Sequence, residues 1–170
     1  ITKSNLPETS LLKNVPHDYL DSYSATLNGK NLTIEQVGKS FFTSDPAWVT
    51  WLFALRNKIV YIIGLKTSGT GASEREAVLQ NFKCEVGERV GLFKVFDKNE
   101  REIILGEDDK HLDFRVSLFL DRQNNLLTVS TIVKIHNWMG KLYFLPVKPF
   151  HKLIVPTMVN GMIIQLKNRR

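Results

Sequence analysis

Residues 101–136 read REIILGEDDKHLDFRVSLFLDRQNNLLTVSTIVKIH, and the pattern of this stretch is the main basis for predicting the fold. Three strand-like runs lie in it, separated by the polar breaks at residues 107–110 and 121–125. Every second residue of the middle run is apolar: Leu112, Phe114, Val116, Leu118 and Leu120. Residues 127–136 repeat the alternation, which is typical of an antiparallel sheet with one covered face. We therefore predict an antiparallel meander whose apolar face is covered by the rest of the chain.

The segments before the meander predict one strand and two short helices. Residues 18–27 favour a strand, which the turn pair Asn-Gly ends. Residues 33–36 read TIEQ, a capping box that predicts a helix start. A second helix is expected over residues 44–64, with Trp48 and Trp51 on its inner face.

The rest of the chain supplies an arm, a loop, two more strands and a final helix. Residues 1–16 contain two prolines and predict an N-terminal arm rather than a packed element. We expect a mainly irregular loop over residues 66–89, and strands at 90–96 and 102–105. The final helix has an apolar face at spacings of three and four, with Pro149 in its first turn: Val147, Phe150, Ile154, Met158, Met162 and Gln165. One domain over residues 17–167 and a basic tail at 168–170 complete the expected organisation.

Composition indicates a globular chain. Of the 170 residues, 43% are apolar and 24% are charged, a balance that excludes a disordered protein. The single cysteine, Cys84, cannot form an internal disulfide, and no signal region follows Ile1. We therefore expect a cytoplasmic location, no transmembrane segment and a buried, inert thiol.

The charge is unevenly distributed. From Arg122 onward there are eight Lys or Arg residues and no acidic residue, so residues 1–121 carry −2 of the chain's formal charge of +6. Such asymmetry fits either a solvated basic face or a membrane-surface or partner-binding module. In the second interpretation Lys141, Lys148, Lys152 and the tail make the contact. The basic residues are not interleaved with aromatics in a recognisable pattern, so we do not expect nucleic-acid binding.

No motif names a reaction, and we expect no cofactor and no metal. Residues 68–73 (SGTGAS) lack the Gly-Lys-Ser/Thr ending of a phosphate loop. Residues 107–109 (EDD) lack the alternation of a calcium loop, and no histidine pair has zinc-ligand spacing. No serine lies in a nucleophile elbow. Catalytic residues therefore stay unknown at this stage.

Two polar groups remain as candidates. His111, Asp113 and Arg115 alternate along one strand and can be read as an acid–base group or as an exposed charged row. Alternation places them away from the apolar face, which favours the charged row. His151 lies beside the apolar stripe of the final helix, with Tyr143 nearby, and can supply one hydrogen bond or a proton.

The order of elements resembles the helix-grip fold of START-related and polyketide-cyclase-like (SRPBCC) proteins. In that α+β fold, a curved antiparallel sheet wraps around a long C-terminal helix and leaves a cavity between them. Residues 108–115 (DDKHLDFR), 140–143 (GKLY) and 149–154 (PFHKLI) resemble a bacterial family of domains of unknown function in that superfamily. Its members stand alone or follow a dehydrogenase-like Rossmann domain. The resemblance covers roughly residues 18–165, although only five strands are predicted where the fold usually has six or seven.

The resemblance implies a domain that binds a hydrophobic small molecule in an apolar cavity. The residues expected to line it share a place on the inner faces of the predicted elements: Trp48, Trp51, Phe114, Val116, Val129, Tyr143, Phe150, His151, Ile154 and Met158. One alternative is a cyclase, dehydratase or isomerase acting on a ligand in the same cavity. Another is the membrane-surface or partner-binding module described above. The oligomeric state is left open.

Overall fold

The structure, a computed structural model, describes residues 1–27, 31–44, 54 and 78–168. These residues form an α+β architecture with one antiparallel sheet of seven strands in the order β1-β2-β7-β6-β5-β4-β3. The strands are β1 (Thr2–Lys3), β2 (Tyr19–Thr26), β3 (Arg89–Val90), β4 (Phe93–Lys98), β5 (Glu102–Asp108), β6 (Leu112–Asp121) and β7 (Leu126–Ile135). Two helices lie wholly within the described residues, α1 (Ile34–Thr43) and the long C-terminal helix α2 (Trp138–Asn168), and residues 78–81 form a further helical turn. This arrangement is consistent with a helix-grip fold.

The predicted meander is confirmed as β5, β6 and β7, and residues 18–27 contain β2 as predicted. The strand predicted over residues 90–96 is instead divided into β3 and β4. Gly91 lies between them with φ +58°, a left-handed conformation that glycine adopts without strain. The five predicted strands therefore become seven, because β1 and β3 are two-residue strands too short for a periodic signal.

Helix α1 begins at the predicted capping box. The Gln36 N–H donates to Thr33 Oγ1 at 3.3 Å, and the Thr33 N–H donates to Gln36 Oε1 at 3.0 Å. Two free N–H groups at the helix start are thereby satisfied. The second predicted helix, with Trp48 and Trp51, lies outside the described residues apart from Ser44 and Ala54. Of the loop predicted at 66–89, residues 78–89 are described, and they include a helical turn at 78–81 and the first residue of β3.

The main apolar cluster lies between the helices and the sheet, on what we call the front face. It includes Val116, Leu118 and Val129 from the strands and Met158 and Met162 from α2. Cys84 belongs to this cluster and is fully buried, and its burial raises the pKa of the thiol to about 12. The prediction that Cys84 is buried is confirmed.

Helix α2 begins about two turns earlier than predicted. Asn137 precedes it, and its side-chain oxygen accepts from the Gly140 N–H at 3.0 Å. Pro146, Pro149 and Pro156 therefore all lie inside the helix, and the prediction that Pro149 occupies the first turn is wrong. Each proline frees the carbonyl four residues earlier, and these belong to exposed residues that water can reach: Leu142, Leu145 and Lys152.

The back face of the sheet is covered by the N-terminal arm, so the prediction of an unpacked arm is wrong. Residue Leu12, only 2% exposed, packs against Ile104 and Ile132. Beside it, Glu102 is fully buried and accepts three hydrogen bonds. Its Oε1 accepts from Ser10 Oγ at 2.6 Å and Ser117 Oγ at 2.5 Å, and its Oε2 accepts from the Leu11 N–H at 2.7 Å. Glu102 thus holds the arm to the sheet.

Candidate functional site

Two apolar clusters adjoin on the front face, and a polar group lies where they meet. The second apolar cluster is built on Leu112, Val133 and Phe144, and Phe114 packs against both clusters. Along β2, Tyr19 packs against the second cluster and Tyr23 against the main one. Because alternate residues of a strand share a face, Asp21 lies on the front face between the two tyrosines.

Asp21 is a buried acid with two donors on the same oxygen. The residue is 5% exposed. The Tyr19 hydroxyl donates to Asp21 Oδ2 at 2.7 Å, and His151 Nδ1 lies 3.0 Å from the same oxygen. His151 comes from α2, and its side chain is 17% exposed. Strand β2 and helix α2 therefore bring together three polar side chains, which we call the Asp21 cluster: Tyr19, Asp21 and His151.

The second carboxylate oxygen, Asp21 Oδ1, is buried and has no hydrogen-bond partner in the described part of the chain. On the neighbouring strands, Thr131 lies opposite Asp21, and Val116 lies opposite Thr131. A buried polar atom without a partner costs about 1–3 kcal/mol, so native proteins normally pair such an atom with protein groups, ordered water or a ligand. Asp21 Oδ1 is therefore the strongest sign of a binding site among the described residues.

The hydrogen bond to Asp21 also decides how His151 can act. A carboxylate acceptor favours a proton on Nδ1, which leaves Nε2 of the neutral ring as a hydrogen-bond acceptor and base. The rings of Tyr19 and His151 meet edge to face, with centroids 6.2 Å apart and planes at 88°. This packing limits rotation of the imidazole. The geometry is that of a carboxylate-oriented histidine.

Tyr19 stays a neutral donor over a wide pH range. Burial raises the pKa of its phenol most, and the hydrogen bond to Asp21 and the charge of that carboxylate raise it further. The pKa of Tyr23 is raised by burial and by the same charge. Phe144 contacts Tyr19 edge to face with centroids 5.0 Å apart, and Lys148 Nζ lies 5.5 Å from the Tyr19 ring centre. These contacts fix the side of the cluster that faces the second apolar cluster.

The predicted cavity residues fall into three groups. Val116, Val129 and Met158 are buried in the main cluster, against which Phe114 and Ile154 pack partly buried. Tyr143 packs against the second cluster, and His151 joins the Asp21 cluster between the two. Phe150 is 46% exposed, whereas Trp48 and Trp51 lie outside the described residues.

Sequence reasoning missed Tyr19 and Asp21. A signal was present, since Asp21 stands at an inward position of a strand whose other inward residues are Tyr19, Tyr23 and Ala25. An acid at an inward position is uncommon unless it is paired, so the alternation of this strand alone makes Asp21 a candidate. The strand was predicted without assigning its faces, and this signal therefore went unused.

The polar row on β6 does not form a site. His111 Nδ1 lies 3.2 Å from Asn137 Oδ1, and His136 Nε2 lies 2.9 Å from Asp113 Oδ2. The Arg115 guanidinium binds Asp108 and lies over the Phe96 ring, 3.5 Å from its centre. Each of the three side chains in the row therefore has its own partners, and the three are partly buried rather than exposed.

Comparison with known proteins gives a family. The model of the family described as "Protein of unknown function (DUF2867)" matches residues 16–158, which include Tyr19, Asp21 and His151. No curated protein and no solved structure shows significant similarity to the chain. Because the match spans most of the sequence, the chain belongs to the DUF2867 family.

Proposed function

We propose that this DUF2867 domain binds a small, mostly apolar molecule between the sheet and helix α2, and that the molecule donates a hydrogen bond to Asp21. The observation that carries the proposal is the buried Asp21 Oδ1, which lacks a partner among the described residues. A hydroxyl or amine of a ligand would satisfy this oxygen and offset part of the cost of burying the carboxylate.

The surroundings support an apolar ligand body. The Asp21 cluster adjoins Phe114, Val133 and Phe144, and binding pockets for small molecules combine such walls with a few placed polar groups. The arrangement of the sheet and the C-terminal helix is consistent with a helix-grip fold, in which a ligand cavity lies between them. Membership of that superfamily forms part of the proposal, as does a bacterial, cytoplasmic setting.

A second candidate function is an enzyme that moves a proton on the same ligand. The Asp21–His151 hydrogen bond favours it, because a carboxylate-oriented histidine presents Nε2 as a general base. Cyclases, dehydratases and isomerases all need such a group. The distinguishing measurement is solvent deuterium incorporation into a bound ligand by NMR. An enzyme is supported if the wild-type protein exchanges deuterium into the ligand and the His151→Gln variant binds the ligand without exchanging it. If the wild-type protein binds the ligand without exchange, the protein is a ligand carrier.

The binding proposal is tested by mass spectrometry of small molecules retained through gentle purification. We expect the wild-type protein to carry an alcohol or amine with an apolar body and the Asp21→Asn variant to lose it. Asp113→Asn is the matched control, because Asp113 also pairs with a histidine but its side chain is 30% exposed rather than 4%. A ligand that Asp21→Asn retains at the wild-type level contradicts the proposed anchor.

A further inference from the structure

Helix α2 is apolar on two sides. Its inner side packs against the sheet and α1 through residues such as Met158 and Met162. Four large apolar side chains lie on the outer side, and we call them the outer stripe: Trp138 (71% exposed), Leu142 (61%), Leu145 (71%) and Leu153 (70%). Their spacings of four, three and eight place them along one line of a helix. A helix that is apolar all round is normally enclosed, so the outer stripe indicates a second apolar contact.

Three lysines follow the same helix. Lys141, Lys148 and Lys152 are exposed, and spacings of seven and four place them in one row beside the outer stripe. No acidic residue occurs from Arg122 to the end of the chain, so α2 itself carries no countercharge for this row. The outer side of α2 therefore joins a large apolar surface to a one-sided positive charge.

We propose that the outer stripe and its lysine row dock on the surface of an anionic lipid bilayer, with α2 lying in the plane of the interface. Interfacial helices combine Trp and Leu on the buried side with Lys at its border, and anionic headgroups supply the countercharge that α2 lacks. No helix in the described ranges combines the length and the hydropathy needed to cross a bilayer.

A second copy of the chain is a poorer occupant on grounds of charge. Two outer stripes packed together would bring one lysine row near another, with no acid on either helix to neutralise them. A bilayer covers the same apolar side chains and also neutralises the lysines. The proposal does not rest on the ligand proposed above, since the outer stripe lies on the side of α2 opposite His151; of the lysine row, Lys148 also lies near the Tyr19 ring.

The test is flotation of the full chain with vesicles of phosphatidylcholine alone and of phosphatidylcholine mixed with phosphatidylglycerol. We expect stronger binding to the mixed vesicles, weakened by high salt because exposed charges are screened. The variant Leu145→Ser with Leu153→Ser is expected to lower the partition coefficient by about tenfold or more. The triple change of Lys141, Lys148 and Lys152 to Gln should reduce binding to the level seen with neutral vesicles.

Matched control variants distinguish binding by this surface from non-specific binding to vesicles. Leu20→Ser with Val86→Ser removes two exposed apolar residues elsewhere, and changing Lys3, Lys13 and Lys83 to Gln removes the same charge. Both controls should bind like the wild type, and circular dichroism checks that every variant stays folded. Equal binding to both vesicle types, equal losses in the controls, or no vesicle binding together with a dimer by light scattering would each overturn the proposal.

Discussion

Asp21 and Glu102 are both buried carboxylates, but they lie on opposite faces of the same sheet and are bound very differently. On the back face, both oxygens of Glu102 accept hydrogen bonds, from two serines and one backbone N–H. On the front face, one oxygen of Asp21 accepts from Tyr19 and His151, while the other has no partner in the described residues. Burial alone therefore does not distinguish a structural acid from a functional one.

The two sets of hydrogen-bond partners indicate which carboxylate stabilises the fold. Glu102 of β5 holds Ser10 and Leu11 of the N-terminal arm, which are 92 and 91 residues away in the chain, so we expect its removal to loosen the cover of the back face. Asp21 also contacts a distant residue, His151, but α2 packs against the sheet independently through its apolar side. We infer that Glu102 stabilises the fold and that Asp21 reserves hydrogen-bonding capacity for a ligand.

The largest loss of folding stability is expected from Glu102→Gln. The amide keeps the volume of the side chain but loses its charge. Its NH₂ group would face either the Leu11 N–H, leaving two donors unpaired, or the serine hydroxyls, which would have to turn to accept from it and would lose their bonds to a charged oxygen. We expect the free energy of unfolding in urea to fall by about 2–3 kcal/mol. A loss below about 0.5 kcal/mol would contradict the role of Glu102 in holding the arm.

The second largest loss of folding stability is expected from His151→Ala, and His136→Ala is its control. Removing His151 takes away a hydrogen bond to a buried carboxylate and some packing against Tyr19, so we expect a loss of about 2 kcal/mol. His136 pairs with Asp113 at a similar distance, 2.9 Å, but both side chains are partly exposed, and its removal should cost about 0.5 kcal/mol or less. Equal losses would show that burial does not distinguish the two pairs.

Asp21→Asn should change stability less than Glu102→Gln or His151→Ala. The amide oxygen can still accept from Tyr19 and His151, and the NH₂ group replaces an oxygen that already lacks a partner among the described residues. We expect the free energy of unfolding to stay within about 1 kcal/mol of the wild type. A loss comparable to that of Glu102→Gln would place Asp21 among the structural acids.

The smallest expected effect is a shift in the alkaline titration of tyrosine, followed by phenolate absorbance. Because Asp21 raises the pKa of Tyr19 above its ordinary 10.0, Asp21→Asn should bring that titration to lower pH, whereas Glu102→Gln should not. The raised pKa contributes stability that is present below pH 10 and is lost as the pH rises toward the folded value. The variant should therefore lose less stability above pH 10 than the wild type.

Local patterns predicted most of the fold. Alternation identified β6 and β7, and the TIEQ capping box placed the start of α1, because both signals depend only on residues close in sequence. The start of α2 was missed because prolines normally mark helix ends, and Asn137 was not recognised as the cap. The cover of the back face could not be predicted, since no local pattern pairs Ser10 with an acid at position 102.

The candidate site was predicted only in part. His151 was identified because it lies beside the apolar stripe of the final helix, and the structure places it against Asp21. Phe150, its neighbour, is 46% exposed because the buried side of α2 passes through His151, Val155 and Met158 instead. The sequence of α2 is apolar on more than one side, so periodicity alone could not choose which side is buried.

The role of Asp21 Oδ1 as a ligand acceptor is tested most directly with two ligands that share one apolar skeleton. One ligand ends in a primary alcohol and the other in the corresponding methyl ether. Only the alcohol can donate a hydrogen bond to Asp21 Oδ1. We predict that the alcohol raises the melting temperature of the wild-type protein more than the ether does, and that Asp21→Asn removes this difference while Asp113→Asn preserves it. Equal shifts in the melting temperature of the wild-type protein by the two ligands would contradict a hydrogen bond from the ligand to Asp21. An undiminished preference for the alcohol in Asp21→Asn would contradict it as well.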